Sequence, residues 1–513
     1  MHTSDPMSTT QFIASWTDPG SAFAFPSSEL RAFGHRLVDE WCDSLASLAE
    51  EPAWRPMPDE VRARLRAPLP QAGLGLAAAY DAFRRDVLPY RYGNIHPRFW
   101  GWVNGSALPA GVLADFLASA MNSNVGAFDQ SAVLVEEQVL GWMRELFQFP
   151  RQGEGILTSG GSVANLLALA AARHAHAPEA REQGLAAERR LTLYASVETH
   201  SSIDKAVELL GLGRENLRRL PVDGEYRLRL DALAETLAAD RARGSVPFAL
   251  VANAGTVNTG AIDPLDELVA LARRERLWLH VDGAFGALAW LCPERRAELR
   301  GLSEADSLAF DLHKWMYLPS DVGCVLVRHA QGLERAFASG APYLAQLHGG
   351  LTARSDGDFK DRGIELTRRF RALKAWFALQ VHGRSAFEAA IRANLAQARH
   401  LVALIEREPH LELLAPAPLN VVCFRYRAGP GEPRLDPAAL DALNRELLVR
   451  LQESGVAVPS QTVLAGRFAL RVAITNHRTR AADLERLVAS VLELGAELVH
   501  ETPSRSEPSS LRS

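Results

Sequence analysis

From about residue 96 to 385 the chain alternates short apolar, β-branched runs with longer Ala/Leu-rich stretches of helical spacing, and this alternation restricts the fold more than any other feature. The runs include Thr192-Leu-Tyr-Ala-Ser-Val, Phe248-Ala-Leu-Val-Ala-Asn, Leu277-Trp-Leu-His-Val and Gly323-Cys-Val-Leu-Val-Arg. Between several of them lie segments such as Pro264-Leu-Asp-Glu-Leu-Val-Ala-Leu-Ala-Arg-Arg. A strand covered on both faces needs a continuous apolar run, and its parallel neighbour is reached through a helical crossover. The pattern predicts an α/β domain on a mostly parallel sheet over residues 96–385. Upstream, Leu30-Arg-Ala-Phe-Gly-His-Arg-Leu-Val-Asp-Glu-Trp has apolar residues at helical spacing. Residues 1–95 therefore read as an N-terminal helical segment with a frayed start. Downstream, two helices alternate with Leu419-Asn-Val-Val-Cys-Phe-Arg-Tyr and Phe468-Ala-Leu-Arg-Val-Ala-Ile before a final helix. This reads as a small α+β domain over 386–500. Residues 501–513 are polar and rich in Pro and Ser, the composition of a disordered tail.

The 513 residues, 47% hydrophobic, suffice for two or three packed domains. A net charge of −5 favours neither nucleic acid nor an anionic membrane as partner. No apolar run reaches the roughly 18 residues of a membrane span. The start, Met1-His-Thr-Ser-Asp-Pro, lacks the basic and apolar regions of a signal peptide. Cys42, Cys292, Cys324 and Cys423 are scattered, with no metal-ligand spacing and no disulfide framework. No metal site is expected, and a reducing, cytoplasmic setting fits.

Open parallel sheets bind ligands at the carboxyl ends of their strands, and here the chain concentrates its polar chemistry. Gly155-Ile-Leu-Thr-Ser-Gly-Gly-Ser reads as strand, glycine turn and helix start. Glycines let the backbone approach an anion, and free N–H groups of the first helical turn then point at it. An ordinary Ser-capped helix would look the same. His200 follows the next strand, placed to stack on a planar ring or to act as a polar loop residue. Thr256 follows another, a hydrogen-bonder or plain turn chemistry. Asp282 ends the run Trp278 to Val281, where a charge is costly unless it is capped or paired. Lys314 ends Ser307-Leu-Ala-Phe-Asp-Leu-His-Lys, where it can snorkel, pair with a carboxylate or serve as a nucleophile. An acid and an amine on successive strands suit pyridoxal phosphate (PLP): lysine forms a Schiff base with its aldehyde, and aspartate keeps the pyridine nitrogen protonated.

At these residues the chain resembles the group II PLP-dependent decarboxylases, which include the aromatic L-amino acid, glutamate and histidine decarboxylases. The resemblance runs from about Asn94 to about Arg384. It is strongest in His96-Pro-Arg-Phe-Trp-Gly, His280-Val-Asp-Gly-Ala-Phe, Leu312-His-Lys-Trp and Arg368-Arg-Phe-Arg-Ala-Leu-Lys-Ala-Trp. It implies the large PLP fold, fold type I, in a homodimer with active sites at the subunit interface. It further implies that Lys314 carries the cofactor, Asp282 meets the pyridine nitrogen, and His200 and Ala284 cover the two ring faces. Gly160, Gly161 and Ser162 would hold the phosphate, with His313 and Thr256 nearby. Trp102 and Val103 would line the side-chain pocket of an amino-acid substrate, an indole there being compatible with an aromatic one.

Two positions depart from the family pattern. Asp311 stands where relatives have an asparagine near the phosphate, so it is expected to point elsewhere or to accept from a nearby donor. Counting back from Arg368-Arg-Phe without gaps, Phe359 stands at the mobile-loop tyrosine, the catalytic position held to protonate the carbanion after carbon dioxide leaves. Phenylalanine has no proton to give. Simple decarboxylation to an amine is the leading expectation. Oxidative release of aldehyde, ammonia and peroxide is the alternative that Phe359 favours, unless a loop gap lets another residue such as Tyr343 serve as acid. A PLP-dependent carbon–carbon lyase and a catalytically silent cofactor binder are the remaining readings.

Overall fold

Between Glu154 and Val327 the apolar runs become one seven-stranded sheet. Its strands are β1 (Glu154–Thr158), β2 (Leu191–Ser196), β3 (Leu217–Leu220), β4 (Val246–Asn253), β5 (Trp278–Asp282), β6 (Ser307–Asp311) and β7 (Gly323–Val327). The computed structural model describes residues 24–186, 190–340, 350–353, 357–429 and 435–501. The sheet order is β1-β7-β6-β5-β4-β2-β3. The neighbours from β6 through β3 are parallel, while β7 runs antiparallel between β6 and β1. Every residue of β1, β2, β5, β6 and β7 is buried, as a sheet covered on both faces requires. The helix Gly161–His176 packs against β1, β4, β5, β6 and β7. Ala164, Ala168, Ala170, Ala171 and Ala172 on its buried side let it lie close to the sheet.

The helix Ala372–Arg407 leads from this layer to a second, antiparallel sheet ordered β10-β11-β9-β8. Its strands are β8 (Leu411–Leu413), β9 (Val421–Tyr426), β10 (Ser460–Leu464) and β11 (Arg467–Ala473). The helix is broken at Gly383, whose φ of 67° and ψ of 165° leave helical space. A glycine takes that left-handed φ without a Cβ penalty. The expected boundary at 385/386 thus falls two residues past this break. Helices Pro437–Glu453 and Ala481–Glu501 join the second sheet in a core of their own, around Val422, Phe424, Leu447, Leu470 and Leu487. The chain divides into two compact units between Glu51 and Pro52, whereas the expected N-terminal helical segment ran to residue 95. Residues 52–95 belong with the larger unit, where Ala53 N donates to Gly455 O at 2.8 Å. The smaller unit, as far as it is described, is the helix Ser27–Ala46 and a short 3-10 turn, Leu48–Glu50. The frayed start over residues 1–23 and the tail beyond Glu501 lie outside the described residues.

Two buried polar ties hold the sheets in place. Asn394, on the long helix, accepts from Trp315 Nε1 at 3.0 Å and Tyr317 Oη at 2.8 Å, and donates to Asn476 O at 3.1 Å. That residue fastens the segment just after Lys314 to the C-terminal layer. Arg368 and Glu136 form a fully buried ion pair at 2.6 Å. Arg368 also donates to the carbonyls of Val125 and Leu157, and Glu136 accepts from Leu157 N, so the pair grips β1. Removing one partner of a buried pair leaves the other as an uncompensated charge. Glu136→Leu should lower the unfolding free energy by about 3–5 kcal/mol in a urea titration. A loss under about 1 kcal/mol would contradict a structural tie here.

Candidate active site

The carboxyl ends of β1, β2, β4, β5 and β6 open onto one cavity of about 470 Å³. After β1, the turn Ser159-Gly160-Gly161-Ser162 leads into the helix Gly161–His176, whose start no side chain caps. Its first N–H groups are therefore open to an anion. His200 reaches the cavity from the loop after β2, and Asn253 from the end of β4. Asp282 ends β5; Ala284 follows it, and Asp311, His313 and Lys314 follow β6. Trp102 and Val103 form part of the outer wall. The Trp102 ring stacks on Tyr92 at 5.6 Å and is half exposed.

Asp282 is only 5% exposed, and a donor chain approaches it from behind. Trp278 Nε1 donates to Ser307 Oγ at 2.8 Å, and Ser307 Oγ lies 2.9 Å from His280 Nδ1. His280 Nε2 meets Asn165 Oδ1 at 2.9 Å, and Asn165 Nδ2 donates to Asp282 Oδ2 at 2.8 Å. A carboxylate only accepts, so Asn165 turns its NH2 to Asp282 and its Oδ1 to His280, which donates from Nε2, and a neutral ring then accepts at Nδ1 from Ser307. Ser307 donates to His280, and His280 is the neutral Nε2–H tautomer. Burial pushes the His280 imidazole down to about 4, in keeping with that form. The second Asn165 N–H donates to Ser202 Oγ at 2.9 Å, and Ser202 Oγ lies 2.8 Å from His200 Nδ1. Ser202 N also donates to His200 Nδ1 at 3.1 Å, which leaves the ring proton on Nε2. Burial lowers the His200 pKa, opposed in part by the Asp282 charge. Ala284 N donates to Asp282 Oδ1 at 3.1 Å.

The chain has four lysines, Lys205, Lys314, Lys360 and Lys374. Lys360 is held by Asp358 and Asp361, and Lys374 by Asp115. Lys314 is the one that lines this cavity, with Nζ 2.8 Å from Asp311 Oδ2. An amine, a buried carboxylate and an anion-ready glycine turn share one cavity, the donor set that PLP requires. A family model for the pyridoxal-dependent decarboxylase conserved domain matches residues 58–427. The chain belongs to the pyridoxal-dependent decarboxylases. It is a PLP-dependent carboxy-lyase. The decarboxylase is 33% identical to an aromatic-L-amino-acid decarboxylase of Bacillus atrophaeus, over 94% of this chain and 98% of that protein. It is 30% identical to a phenylacetaldehyde synthase of Arabidopsis thaliana, over 92% of this chain and 97% of that one. A crystal structure of Oryza sativa TDC with PLP and tryptamine superposes with a TM-score of 0.86 at 29% identity, covering 93% of this chain and 99% of that chain.

Two expected site residues of the decarboxylase lie elsewhere. Thr256 is fully buried and outside the cavity lining. Its hydroxyl is taken up within its own turn, 3.0 Å from Thr259 Oγ1 and accepting from Ala261 N at 3.0 Å. The neighbours Gly255, Val257 and Asn258 line the cavity in its place. Phe359 is also fully buried and outside the cavity of its own chain. Its ring lies under two guanidinium groups, Arg362 at 5.0 Å and Arg368 at 4.9 Å, so cation–π packing holds it. Tyr343 lies outside the described residues. Asp311 does accept from a nearby donor, Lys314.

Several lining residues went unread in the sequence. Asn165 stands one helical turn past the glycine turn, a spacing that could have flagged it. Ser460, Gln461 and Arg471 come from the second sheet. Arg471 interrupts the apolar run Phe468 to Ile474, where a charge is costly unless it is bound. It donates to the carbonyls of Trp102, Val257 and Asn258. No carboxylate pairs with it among the described ion pairs.

The His280 link makes stability depend on pH. The unfolded side chain binds a proton below about 6.5, whereas the folded one does so only below about 4. Between those values the unfolded chain carries the extra proton, so stability falls as pH drops through the window. His280→Gln should lose about 3 kcal/mol less than wild type between pH 6.5 and 4 in denaturant titrations. Parallel pH profiles for the two proteins would contradict a neutral, buried His280.

Proposed function

We propose that the enzyme decarboxylates an aromatic L-amino acid, releasing carbon dioxide and the amine. The observation that carries this is that Lys314 and Asp282 line one cavity, part of whose outer wall is Trp102, itself stacked on Tyr92. Lys314 holds the cofactor as its amine partner, and Asp282 keeps the proton on the pyridine nitrogen. His200 covers one ring face and Ala284 the other. Gly160, Gly161 and Ser162 hold the phosphate, with His313 beside them. PLP, when bound, supplies the electron sink for the pair left behind by carbon dioxide. Trp102, Val103 and Val257 give the side chain an apolar wall, and the unpaired charge of Arg471 draws the substrate carboxylate inward. The similarity to the Bacillus enzyme supports the aromatic class.

A second reading, oxidative decarboxylation to an aldehyde, is favoured by one residue. Phe359, which an ungapped count sets at the family's catalytic tyrosine, has no acidic proton to give, and a relative is named for aldehyde synthesis. The first reading has the wider support, because Phe359 is packed under arginines and away from its own cavity.

A homodimer is part of the proposal. Leu113, Phe116, Leu117 and Met121 expose one side of the helix Pro109–Met121, and no residue of the helix Ser27–Ala46 is buried. Apolar faces of this kind are what a second copy covers. No helix among the described residues is long and apolar enough to cross a membrane. All four cysteines are free, which supports a cytoplasmic setting.

Purified enzyme given L-tryptophan, L-tyrosine, L-glutamate and L-2,4-diaminobutyrate separates these readings. The aromatic substrates should give amine at the same rate under air and under nitrogen, with no peroxide. Aldehyde, peroxide and oxygen uptake in equal amounts would replace the first reading with the second. Turnover of only the acidic or diamino substrates would sink the aromatic assignment.

A further inference from the structure

Asp311 lines the cavity beside the glycine turn, where its charge opposes the phosphate of the ligand that the cavity is built to hold. It closes β6, is 1% exposed, and spends Oδ2 on Lys314 Nζ at 2.8 Å. Its Oδ1 is buried with no hydrogen-bond partner. The groups that face it are few. His313 Nδ1 is 4.0 Å away and engaged with the backbone of Val322. His200 and the Cys324 thiol feel its charge from neighbouring elements.

The backbone in front of the carboxylate is glycine on two sides. A Cβ on Gly161 would stand 3.0 Å from Asp311 Oδ2, and one on Gly323 would stand 2.6 Å from Oδ1. Nothing therefore separates Asp311 from the Gly160-Gly161-Ser162 turn, whose open N–H groups suit a phosphate. A carboxylate and a phosphate a few ångströms apart repel by more than a factor of ten in affinity at the effective dielectric of such sites.

We infer that Asp311 is a positioning residue that governs cofactor retention. In the cofactor-free enzyme it holds the Lys314 ammonium over the cavity. In the loaded enzyme its charge opposes the phosphate and keeps PLP exchangeable. This rests on the reading that the cavity takes PLP.

The test compares cofactor-free wild type with Asp311→Asn, titrating each with PLP and with pyridoxal, which lacks the phosphate. Binding is followed by the visible absorbance of the bound aldehyde. Asp311→Asn should bind PLP about tenfold tighter or more and release it more slowly, while its affinity for pyridoxal stays within about threefold. Unchanged PLP affinity, or an equal gain for both ligands, overturns the inference. Wild type that takes up neither ligand overturns the cofactor reading itself, which separates the two failures. Should Asp311→Asn not fold by circular dichroism, Asp311→Ser removes the same charge and must show the same selectivity for PLP.

Discussion

The site depends on satisfying one buried carboxylate, Asp282, at the end of a parallel strand. A carboxylate in that position is costly unless donors replace its water. Two hydrogen bonds do so, from Asn165 and from the Ala284 backbone. The donor chain behind Asn165 begins at Trp278 and passes through Ser307 and His280, so adjacent strands β5 and β6 and the covering helix all contribute. Asn165 also branches to Ser202, which meets His200 at the cavity wall. One amide thus aims both the carboxylate and the imidazole.

The cavity is not a product of the large sheet alone. Arg471 enters from β11 and ties together the backbone of Trp102, Val257 and Asn258, three positions far apart in sequence. Asn394 and Asn476 fasten the turn after Lys314 to the C-terminal layer. Movement of that layer would shift the outer wall and the lysine's support together.

The parts of the site that were legible in the sequence are those whose chemistry sits at a strand end. Asp282 and Lys314 each close an apolar run, so their cost announced them, and the Gly160-Gly161-Ser162 turn announced itself by glycine. Arg471 carried the same kind of signal, a charge within an apolar strand, but its strand belongs to the other sheet and spacing could not bring it to the cavity. Thr256 was placed at a strand end correctly, yet its hydroxyl bonds within its own turn, an outcome decided by local geometry. For Phe359, counting along the chain locates the residue without saying what it packs on, and two arginines hold it. The strand runs read near 192, 248, 278 and 323 all lie in the large sheet. The hydrogen bond from Ala53 to Gly455, which ties residues before 95 to the C-terminal layer, is a pairing with no local trace in the sequence.

The central claim is that Lys314 is the amine that carries PLP, and the rarity of lysine in this chain makes it directly measurable. Borohydride reduction of the PLP-loaded enzyme fixes the cofactor covalently to the amine that holds it. Peptide mass spectrometry then reads which of Lys205, Lys314, Lys360 and Lys374 bears it. The account requires the phosphopyridoxyl group on the peptide containing Lys314 at near-complete occupancy, and a label on another lysine, or on none, would contradict it.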